Sequence, residues 1–161
     1  MRANVLALAM TLVSAGCAGG PVVDLAENLK VLDVSTGWKD EGVIDGDKNK
    51  LVPTAQFKLQ NNSAQTLKVL QVNAVFRRLN EAQELGAQYK PVTSSEGLAP
   101  GQTTDPIVVK SNFGYKGTEP RAVILQNSHF VDAKVEIFAK YGSQQWKRIA
   151  EYPIERKLIE R

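Results

Sequence analysis

Cysteine and histidine are almost missing from this chain of 161 residues, which contains one of each. A single cysteine cannot form an intrachain disulfide, so the stability of the folded chain must come from its core. Clusters of cysteine and histidine that hold structural zinc are likewise excluded. The sequence also contains no glycine-rich phosphate loop and no dinucleotide-binding fingerprint. We therefore predict a protein without a bound metal or cofactor.

Basic charge is not concentrated in any one part of the sequence. The formal net charge is only +3, and the lysines and arginines are spread thinly along the chain. Nucleic-acid surfaces usually concentrate basic side chains in a stripe with interleaved aromatic residues. We therefore predict no nucleic-acid partner.

The N-terminal hydrophobic run is too short for a permanent membrane span. It extends from Val5 to Val13 and is interrupted only by Thr11, whereas a helix must cross a hydrocarbon core of about 30 Å. Arg2 precedes the run and small residues follow it. This order is typical of a cleavable secretory signal, so we predict that residues 1–16 are a signal peptide.

The residues that end this segment resemble the lipobox of bacterial lipoproteins. Ala15 and Gly16 are the two small residues before Cys17, although Ser14 stands where the family usually has an aliphatic residue. The resemblance implies that Cys17 becomes a lipidated N-terminus, anchored in the membrane by its acyl chains. It also implies that Cys17 serves neither as a nucleophile nor as a thiolate ligand. The other interpretation is an ordinary secretory signal with an incidental cysteine.

The residue after the cysteine carries a further implication. It is Ala18 and not aspartate, which by resemblance to the sorting rule of enterobacterial lipoproteins implies the outer membrane. We expect the periplasmic face of that membrane. Residues 17–29 are then a lipidated N-terminus and tether.

Alternation of apolar and polar residues predicts strands through most of the remaining chain. Ala55, Phe57 and Leu59 alternate with polar neighbours, which is the pattern of a half-buried strand. The same period of two recurs at residues 32–38, 70–77, 133–140 and 146–154, with a shorter segment at 107–109. Asn-Asn-Ser at 61–63 and Leu-Ala-Pro-Gly at 98–101 have the composition of turns.

This pattern predicts an all-β fold, a single immunoglobulin-like antiparallel β-sandwich of about seven or eight strands. A small barrel is the alternative. We assign residues 30–155 to the sandwich and residues 156–161 to a frayed C-terminal tail.

Three finer expectations follow from the same pattern. The strands at 55–60 and 70–77 should pair with each other across the Asn-Asn-Ser turn. The glycine- and aspartate-rich segment at 39–50 should be a polar loop. Trp38 and Trp146 should be core residues, because each falls on the apolar face of its own strand.

The central segment resembles FxLYD-type and related immunoglobulin-like domains of bacterial envelope proteins. The residues that carry the resemblance are FKLQNNSAQTLKVLQVNAVF and LAPGQTTDPIVV. They contain an Asn-Asn-Ser hairpin, an alternating strand and a Leu-x-Pro-Gly-x-Thr turn. The chain differs where it reads Phe76-Arg-Arg-Leu-Asn80, because that family has an aromatic-acidic ending there. The resemblance implies the same fold and a domain of a commonly non-catalytic kind.

The loop NFGYKGTEP at 112–120 contains the candidate contact residues. Phe113 and Tyr115 are aromatic residues separated by Gly114, and aromatic side chains on the loops of a sandwich can bind partners. The alternative is that either ring folds back over the end of the sandwich.

One acidic segment has the spacing that opens a calcium loop. Asp45, Asp47 and Asn49 alternate as hard oxygen ligands do. However, Lys50 and Gln56 occupy the positions that require glycine and a bidentate glutamate. We interpret the segment as a solvated turn and predict no metal ligands there.

His129 is the only candidate for a catalytic base. Ser128 and Asp132 are its neighbours in the sequence, but a triad requires a nucleophile and an acid placed in space, and no nucleophile elbow is present. We interpret His129 as a turn or strand-end residue and predict no catalytic residues.

These observations favour a non-enzymatic, lipid-anchored envelope protein that serves as a protein-interaction or structural module. Its partners would be the membrane, through Cys17, and another envelope protein. A binder of glycans or small molecules is the alternative hypothesis, and an enzyme that uses His129 is the third.

Overall fold

The computed structural model describes residues 22–159. The predicted signal peptide, Cys17 and the last two residues of the predicted tail lie outside these described residues. In chain order the elements are α1 (Leu25–Asn28), β1 (Leu29–Ile44), β2 (Lys48–Asn61), β3 (Leu70–Arg78), β4 (Glu84–Pro91), β5 (Ile107–Lys110), β6 (Tyr115–Gly117), α2 (Arg121–Gln126), β7 (Ala133–Tyr141), β8 (Lys147–Pro153) and β9 (Leu158–Ile159).

The strands form two sheets around one core. The five-stranded sheet has the order β5–β2–β1–β9, with β6 also paired to β2, and the four-stranded sheet has the order β4–β3–β7–β8. Neighbouring strands are antiparallel except for β1 and β9, which are parallel. The predicted all-β sandwich is therefore confirmed, and the short strands β6 and β9 account for the larger number of strands.

Strand alternation fills the core between the sheets. Ala55, Phe57 and Leu59 of β2 are fully buried, as is Trp38 of β1. The four-stranded sheet contributes Val72, Ala74, Phe76, Val135, Ile137 and Ala139. Because successive side chains of a strand point to opposite faces, alternate residues along much of β2, β3 and β7 enter the core.

We call the end of the sandwich where the described chain joins the fold the entry end, and the opposite end the far end. At the entry end, Leu29 at the start of β1 pairs with Asn61 at the end of β2. Leu70 at the start of β3 pairs there with Tyr141 at the end of β7. The Val23 amide donates to the phenol oxygen of Tyr141 at 3.2 Å, which ties the incoming chain to this end.

The last part of the predicted tether belongs to the fold. Leu25 and Leu29 are buried in the core, and Asp24 caps α1 by accepting a hydrogen bond from the Ala26 amide at 2.9 Å. The packed domain therefore begins before residue 30, where the sequence pattern alone would start it.

The expected pairing of the strands at 55–60 and 70–77 is wrong. β2 pairs with β1, β5 and β6, whereas β3 pairs with β4 and β7, so the Asn-Asn-Ser turn leads from one sheet to the other. Each strand buries one apolar face, and the alternation is the same for sheet neighbours and for strands that face each other across a sandwich. The pattern identifies each strand without identifying its partner.

The predicted polar loop at 39–50 is also wrong. β1 continues through it to Ile44, and β2 begins at Lys48. In the intervening turn Asp45 and Gly46 have φ angles of 52° and 89°, which is typical of a tight hairpin turn with an Asp-Gly sequence. The segment is polar because all of its residues are at least partly exposed.

Trp146 is not a core residue, contrary to the prediction. It lies just before β8 with 38% of its surface exposed. Its ring stands edge-on to Tyr89 with the centroids 6.4 Å apart. The Nζ of Lys140 lies 5.2 Å from the centroid of the Trp146 ring.

A β-bulge explains why the alternation fails at Trp146. Ala150 pairs with Ile137, which is fully buried, but the next pair is Arg148 with Phe138, which is partly exposed. The extra residue in β8 shifts the alternation by one position, as bulges do. Trp146 therefore shares the outward face of Arg148.

The chain is part of the sandwich as far as Ile159. The prediction that residues 156–161 form a frayed tail is therefore wrong for the described residues 156–159. Leu158 and Ile159 form β9, and Leu158 pairs with Trp38 of β1. A Cβ at Gly37 would lie 2.7 Å from Cγ1 of Ile159. Glycine at this position therefore allows β9 to lie against β1.

A fully buried asparagine joins the two turns found in the sequence. Its Nδ2 donates to the carbonyl oxygens of Gln65 at 2.7 Å and Leu98 at 2.8 Å, and its Oδ1 accepts from the Ser63 amide at 2.9 Å. The backbone oxygen of this residue, Asn61, accepts from the Gly101 amide at 2.6 Å. Buried polar groups are tolerated when they are hydrogen-bonded, and the Asn61 amide is bonded at both its nitrogen and its oxygen.

We expect Asn61→Ala to lower the free energy of unfolding by about 2–4 kcal/mol, because the buried Ser63 amide loses its acceptor and the Leu98 carbonyl loses one of its two donors. Urea unfolding followed by circular dichroism measures the change. Asn62→Ala is the matched control, since Asn62 is exposed and its side chain makes no hydrogen bond within residues 22–159. The control should change the free energy by less than about 0.5 kcal/mol, and equal midpoints for the two variants would contradict the role of Asn61.

The outer face of the four-stranded sheet carries a charged network around Glu136. Its carboxylate lies 3.1 Å from Nε of Arg77, 3.4 Å from Nζ of Lys134 and 3.6 Å from Nη1 of Arg148. Burial pushes the pKa of Glu136 upward, but the hydrogen bond from Arg77 and the positive charges of Arg77 and Lys134 outweigh burial. The net result is a pKa below the ordinary value of 4.5.

Glu136→Gln should destabilise the fold by about 1–3 kcal/mol at neutral pH, since a charged hydrogen bond is lost. Because the pKa is lower in the folded chain, the carboxylate contributes its full stability above pH 4.5 and loses that contribution as the pH falls further. Unfolding measured across this range should show the difference from wild type shrinking with acid. Exposed Glu96 supplies the control Glu96→Gln. A difference that is independent of pH would argue against this role of the charge.

Candidate functional site

The candidate contact loop between β5 and β6 is held by hydrogen bonds to its surroundings. The amide of buried Ser111 donates to the carbonyl oxygen of Pro53 at 3.0 Å, and the Ser111 Oγ accepts from the Phe113 amide at 3.1 Å. Nζ of Lys50 donates to the carbonyl oxygen of Asn112 at 3.0 Å. A loop fixed in this way loses little conformational entropy when a partner binds.

Two glycines allow the loop to fit between β2 and β4. A Cβ at Gly114 would overlap the carbonyl oxygen of Leu51 and lie 2.9 Å from Cα of Val52. A Cβ at Gly86 of β4 would overlap Oγ of Ser111. The absence of a side chain at both positions permits this close approach, and the position of Phe113 follows from it.

Phe113 has the highest exposure of the aromatic residues in the described part of the chain, at 66%. It lies on the rim of a cleft of about 400 Å³. The other lining residues come from the end of β3, the β3–β4 connection, the start of β4 and the loop itself: Arg78, Glu81, Gln83, Glu84, Leu85 and Gly114. The cleft thus contains an exposed aromatic ring and an arginine, which are residue types enriched at protein-binding interfaces, beside an aliphatic side chain and two carboxylates.

Arg78 is a cleft residue that the sequence analysis did not single out as functional. Its Nη1 lies 3.7 Å from the carboxylate of Glu81, and its Nε has no hydrogen-bond partner within residues 22–159. An exposed ion pair of this kind contributes little to stability, so a partner's carboxylate can replace Glu81 at low cost. The only sequence signal was the Arg-Arg pair after Phe76, where the chain departs from the FxLYD pattern.

Tyr115, the other candidate contact residue, is partly buried and packs against the core. Its ring centroid lies 4.3 Å from that of Phe130 and 5.6 Å from that of Trp38. Its hydroxyl oxygen accepts from the Val131 amide and donates to the Val131 carbonyl, both at 3.0 Å. The alternative in which a ring folds back over the sandwich therefore describes Tyr115 but not Phe113.

An arginine fastens the chain beside this aromatic cluster. Nε of Arg156 donates to Asp132 at 2.6 Å, and its Nη2 donates to the carbonyl oxygen of Phe130 at 3.0 Å. The hydrogen bond with Asp132 raises the pKa of Arg156. These contacts hold the segment before β9 against the loop that follows α2.

The residues considered for a catalytic triad are not brought together. His129 is exposed, and its Nδ1 lies 3.3 Å from Oδ1 of Asn127. The carboxylate of Asp132 is bound by Arg156 instead. Within residues 22–159, no hydrogen bond links His129 to Ser128 or Asp132.

The acidic segment considered for calcium forms the β1–β2 hairpin turn. The carboxylate of Asp45 lies 3.3 Å from Nζ of Lys116, so a protein cation already neutralises it. Among the residues that the structure describes, no group of three or more histidine, cysteine, aspartate or glutamate side chains is placed to hold a metal ion.

A second concavity lies where β4 ends and β5 begins. It has a volume of about 480 Å³ and is lined by residues 90–94, 96–98 and 102–108. Most of these residues are polar, including Thr103, Thr104 and Asp105. The volume falls within the range of small-molecule sites, although such sites are usually more apolar.

Cys17 and the rest of the predicted anchor lie outside the described residues. Between residues 22 and 159, no helix combines the length and the apolar character that a membrane span requires.

No protein-family model matches the chain, and no curated protein matches it in sequence. Solved structures of similar shape include the following two. The X-ray structure of Northeast Structural Genomics Consortium target SoR45 is 11% identical with a TM-score of 0.46, over 81% of this chain and 89% of that one. The crystal structure of the putative ApaA protein from Bordetella pertussis is 15% identical with a TM-score of 0.44, over 79% of this chain and 92% of that one. Likenesses this weak carry no argument about function.

Gly114→Ala should displace the contact loop, because the added methyl group meets the backbone of Leu51. We expect a loss of about 1–3 kcal/mol of stability, as for overpacked sites, with the largest amide chemical-shift changes at Ser111 and Phe113. Gly142→Ala is the control, since a Cβ there meets no atom within 4 Å and its φ of +55° lies in the left-handed region that non-glycine residues occasionally adopt. Shift changes no larger at the loop than in the control would show that the loop does not depend on Gly114.

Proposed function

We propose that this chain is a non-enzymatic, lipid-anchored β-sandwich protein of the bacterial envelope that binds another envelope protein through the Phe113 loop. The anchor would be acylated Cys17, and the location would be the periplasmic face of the outer membrane. Support for the anchor comes from the sequence: a charged start, a short apolar run, and Ala15-Gly16 before the cysteine.

The exposed ring of Phe113 on a fixed loop is the observation that carries the interaction. A large aromatic side chain gains considerable free energy when a partner removes it from water. Because the bonds to Pro53 and Lys50 already fix the backbone, little of that gain is spent on ordering the loop. We expect Phe113 to insert into an apolar pocket of the partner while Arg78 binds a carboxylate or carbonyl oxygen beside it.

The location of the loop supports the same proposal. Tyr115, next to the loop, pairs with Leu51 of β2, whereas Asn61 marks the entry end of that strand. Ten residues of extended strand separate the two positions, which corresponds to about 30 Å. A partner bound at Phe113 would therefore lie well away from the end of the domain that is tethered to the membrane.

The second candidate function is binding of a small molecule or glycan. The polar groove of about 480 Å³ at residues 90–108 favours it, because hydroxyl, amide and carboxylate groups there can bond to a polar ligand. We rank it second because the groove lacks an exposed aromatic ring on which a ligand can pack.

Cross-linking in intact cells followed by mass spectrometry tests the interaction. The wild-type chain should capture one discrete envelope protein, and Phe113→Ala should reduce that capture at least about tenfold, which corresponds to about 1.4 kcal/mol of binding free energy. Val43→Ala is the matched control, because Val43 is another apolar residue with 58% exposure, on the hairpin at the far end. The control should leave capture and stability unchanged.

Cys17→Ala in the same experiment tests the anchor, and we expect it to release the chain from the membrane and abolish capture. If Phe113→Ala captures the partner as well as the wild type does, the contact surface lies elsewhere on the domain. A wild-type chain that is membrane-bound but captures no protein would contradict the proposed binding of an envelope protein. It would favour the alternative that a ligand binds in the groove. A wild type that fractionates as a soluble protein would contradict the anchor.

A further inference from the structure

The proposed anchor would hold the entry end of the sandwich close to the membrane. The described chain begins at Val22, whose neighbour Val23 is bonded to Tyr141 at that end. Val22 is five residues after Cys17, and an extended chain spans at most about 3.6 Å per residue. However the intervening residues are arranged, an acylated Cys17 therefore lies within about 18 Å of Val22.

Two exposed aromatic rings lie near the same end. Trp146 is 38% exposed and Tyr89 is 53% exposed, and their rings meet edge to face at 6.4 Å. Nζ of Lys140 lies 5.2 Å from the Trp146 ring. Tryptophan and tyrosine are enriched where proteins meet the membrane–water interface, because each has an apolar ring with one polar group. A neighbouring ammonium group can bind lipid phosphate oxygens.

Val69 adds an independent observation at the entry end. It directly precedes Leu70, which pairs with Tyr141, and it is 45% exposed. Its φ of 53° is strained for a β-branched residue. The backbone thus tolerates strain at a position where an apolar side chain remains in contact with water, and such strain occurs preferentially at functional positions.

From these placements we infer that Trp146, Tyr89 and Val69 form a bilayer-contact surface, which lays the entry end of the sandwich on the lipid interface. This inference rests on the proposed anchor at Cys17. The lipid tether supplies proximity, and the three side chains supply an apolar contact that fixes the orientation of the domain. Phe113 is then directed away from the bilayer.

Lipid charge should be secondary to the aromatic contact. The charged residues that lie near the entry end include Asp24, Glu27 and Glu96 but also Lys30, Lys68, Lys90, Lys140 and Lys147. The acidic groups therefore offset part of the basic attraction to lipid headgroups. The contact surface fits a phospholipid interface of any headgroup and does not require an anionic lipid.

Tryptophan fluorescence can test the contact directly, because the chain contains two tryptophans. Trp38 is fully buried and serves as the internal reference, while Trp146 is exposed. The mature lipidated chain is reconstituted in phosphatidylcholine vesicles with or without brominated acyl chains, since bromine quenches tryptophan only at short range. We expect brominated lipid to remove up to one half of the emission, the share of one of the two tryptophans.

Three variants make the result specific. Trp146→Phe should abolish quenching while its remaining Trp38 emission and circular dichroism stay native. Val69→Asn should reduce quenching, because it removes the apolar side chain and asparagine tolerates a positive φ. Val43→Asn at the far end should leave quenching unchanged.

Equal emission in the two kinds of vesicle, with the protein still floating with the lipid, would overturn the contact surface and leave the anchor intact. Quenching that persists in Trp146→Phe would overturn it too, because the signal would then come from Trp38. Failure of the wild type to float with vesicles would overturn the anchor, and the contact surface with it.

Discussion

The buried side-chain amide of Asn61 is the interaction on which the arrangement of the two sheets depends. Asn61 lies where the chain leaves β2 for β3, and its bond to Leu98 reaches the segment that returns from β4 to β5. Both segments cross from one sheet to the other. One side chain thus holds two crossovers together, and a second pair of bonds between Leu67 and Leu98 continues the junction. Loss of the side-chain amide would leave the buried Ser63 N–H without an acceptor and would remove one of the two hydrogen bonds to the Leu98 carbonyl.

The position of the candidate contact loop depends on that junction through strand register. β5 follows the second crossover and pairs with β2, so that Ile107 lies opposite Phe57. The loop that follows β5 must then fit Gly114 against Leu51 of the same strand. A slip of one residue would turn every side chain of β5 to the other face and would place a Cβ-bearing residue against the Leu51 carbonyl. The register of β5 on β2 is therefore constrained at both ends of β5. The Asn61 junction constrains it before the strand, and the fit of Gly114 against Leu51 constrains it after the strand.

Local chemistry made the strands and turns predictable, whereas contacts between distant segments did not. The alternation around Phe57 and the turn at Asn61 are visible in a few consecutive residues, and the structure contains both. The partner of β2 was not visible, because burial of one face is common to every strand of a sandwich. Trp146 was misplaced because a bulge in β8 leaves no reliable mark in the sequence. Ile159 was assigned to a tail because two residues carry no periodicity.

The candidate site was predictable only in part, for the same reason. The exposed aromatic loop could be found from its glycines, but the separate roles of Phe113 and Tyr115 depend on Phe130 and Val131, which are distant in the sequence. Arg78 reaches the cleft from another strand, so no local pattern links it to Phe113.

Phe113 and Trp146 have one thing in common: an irregular feature of the backbone keeps each ring exposed. Phe113 stays outside because Gly114 lets the loop fit against β2, and Trp146 stays outside because a bulge reverses the alternation of β8. Glycine and bulges each weaken a sheet, through chain entropy and through lost pairing. A fold that required only a packed core would need neither the close approach at Gly114 nor the bulge in β8. Their presence at the two exposed rings is explained if each ring has a contact outside the domain, one with a partner protein and one with the bilayer, as proposed here.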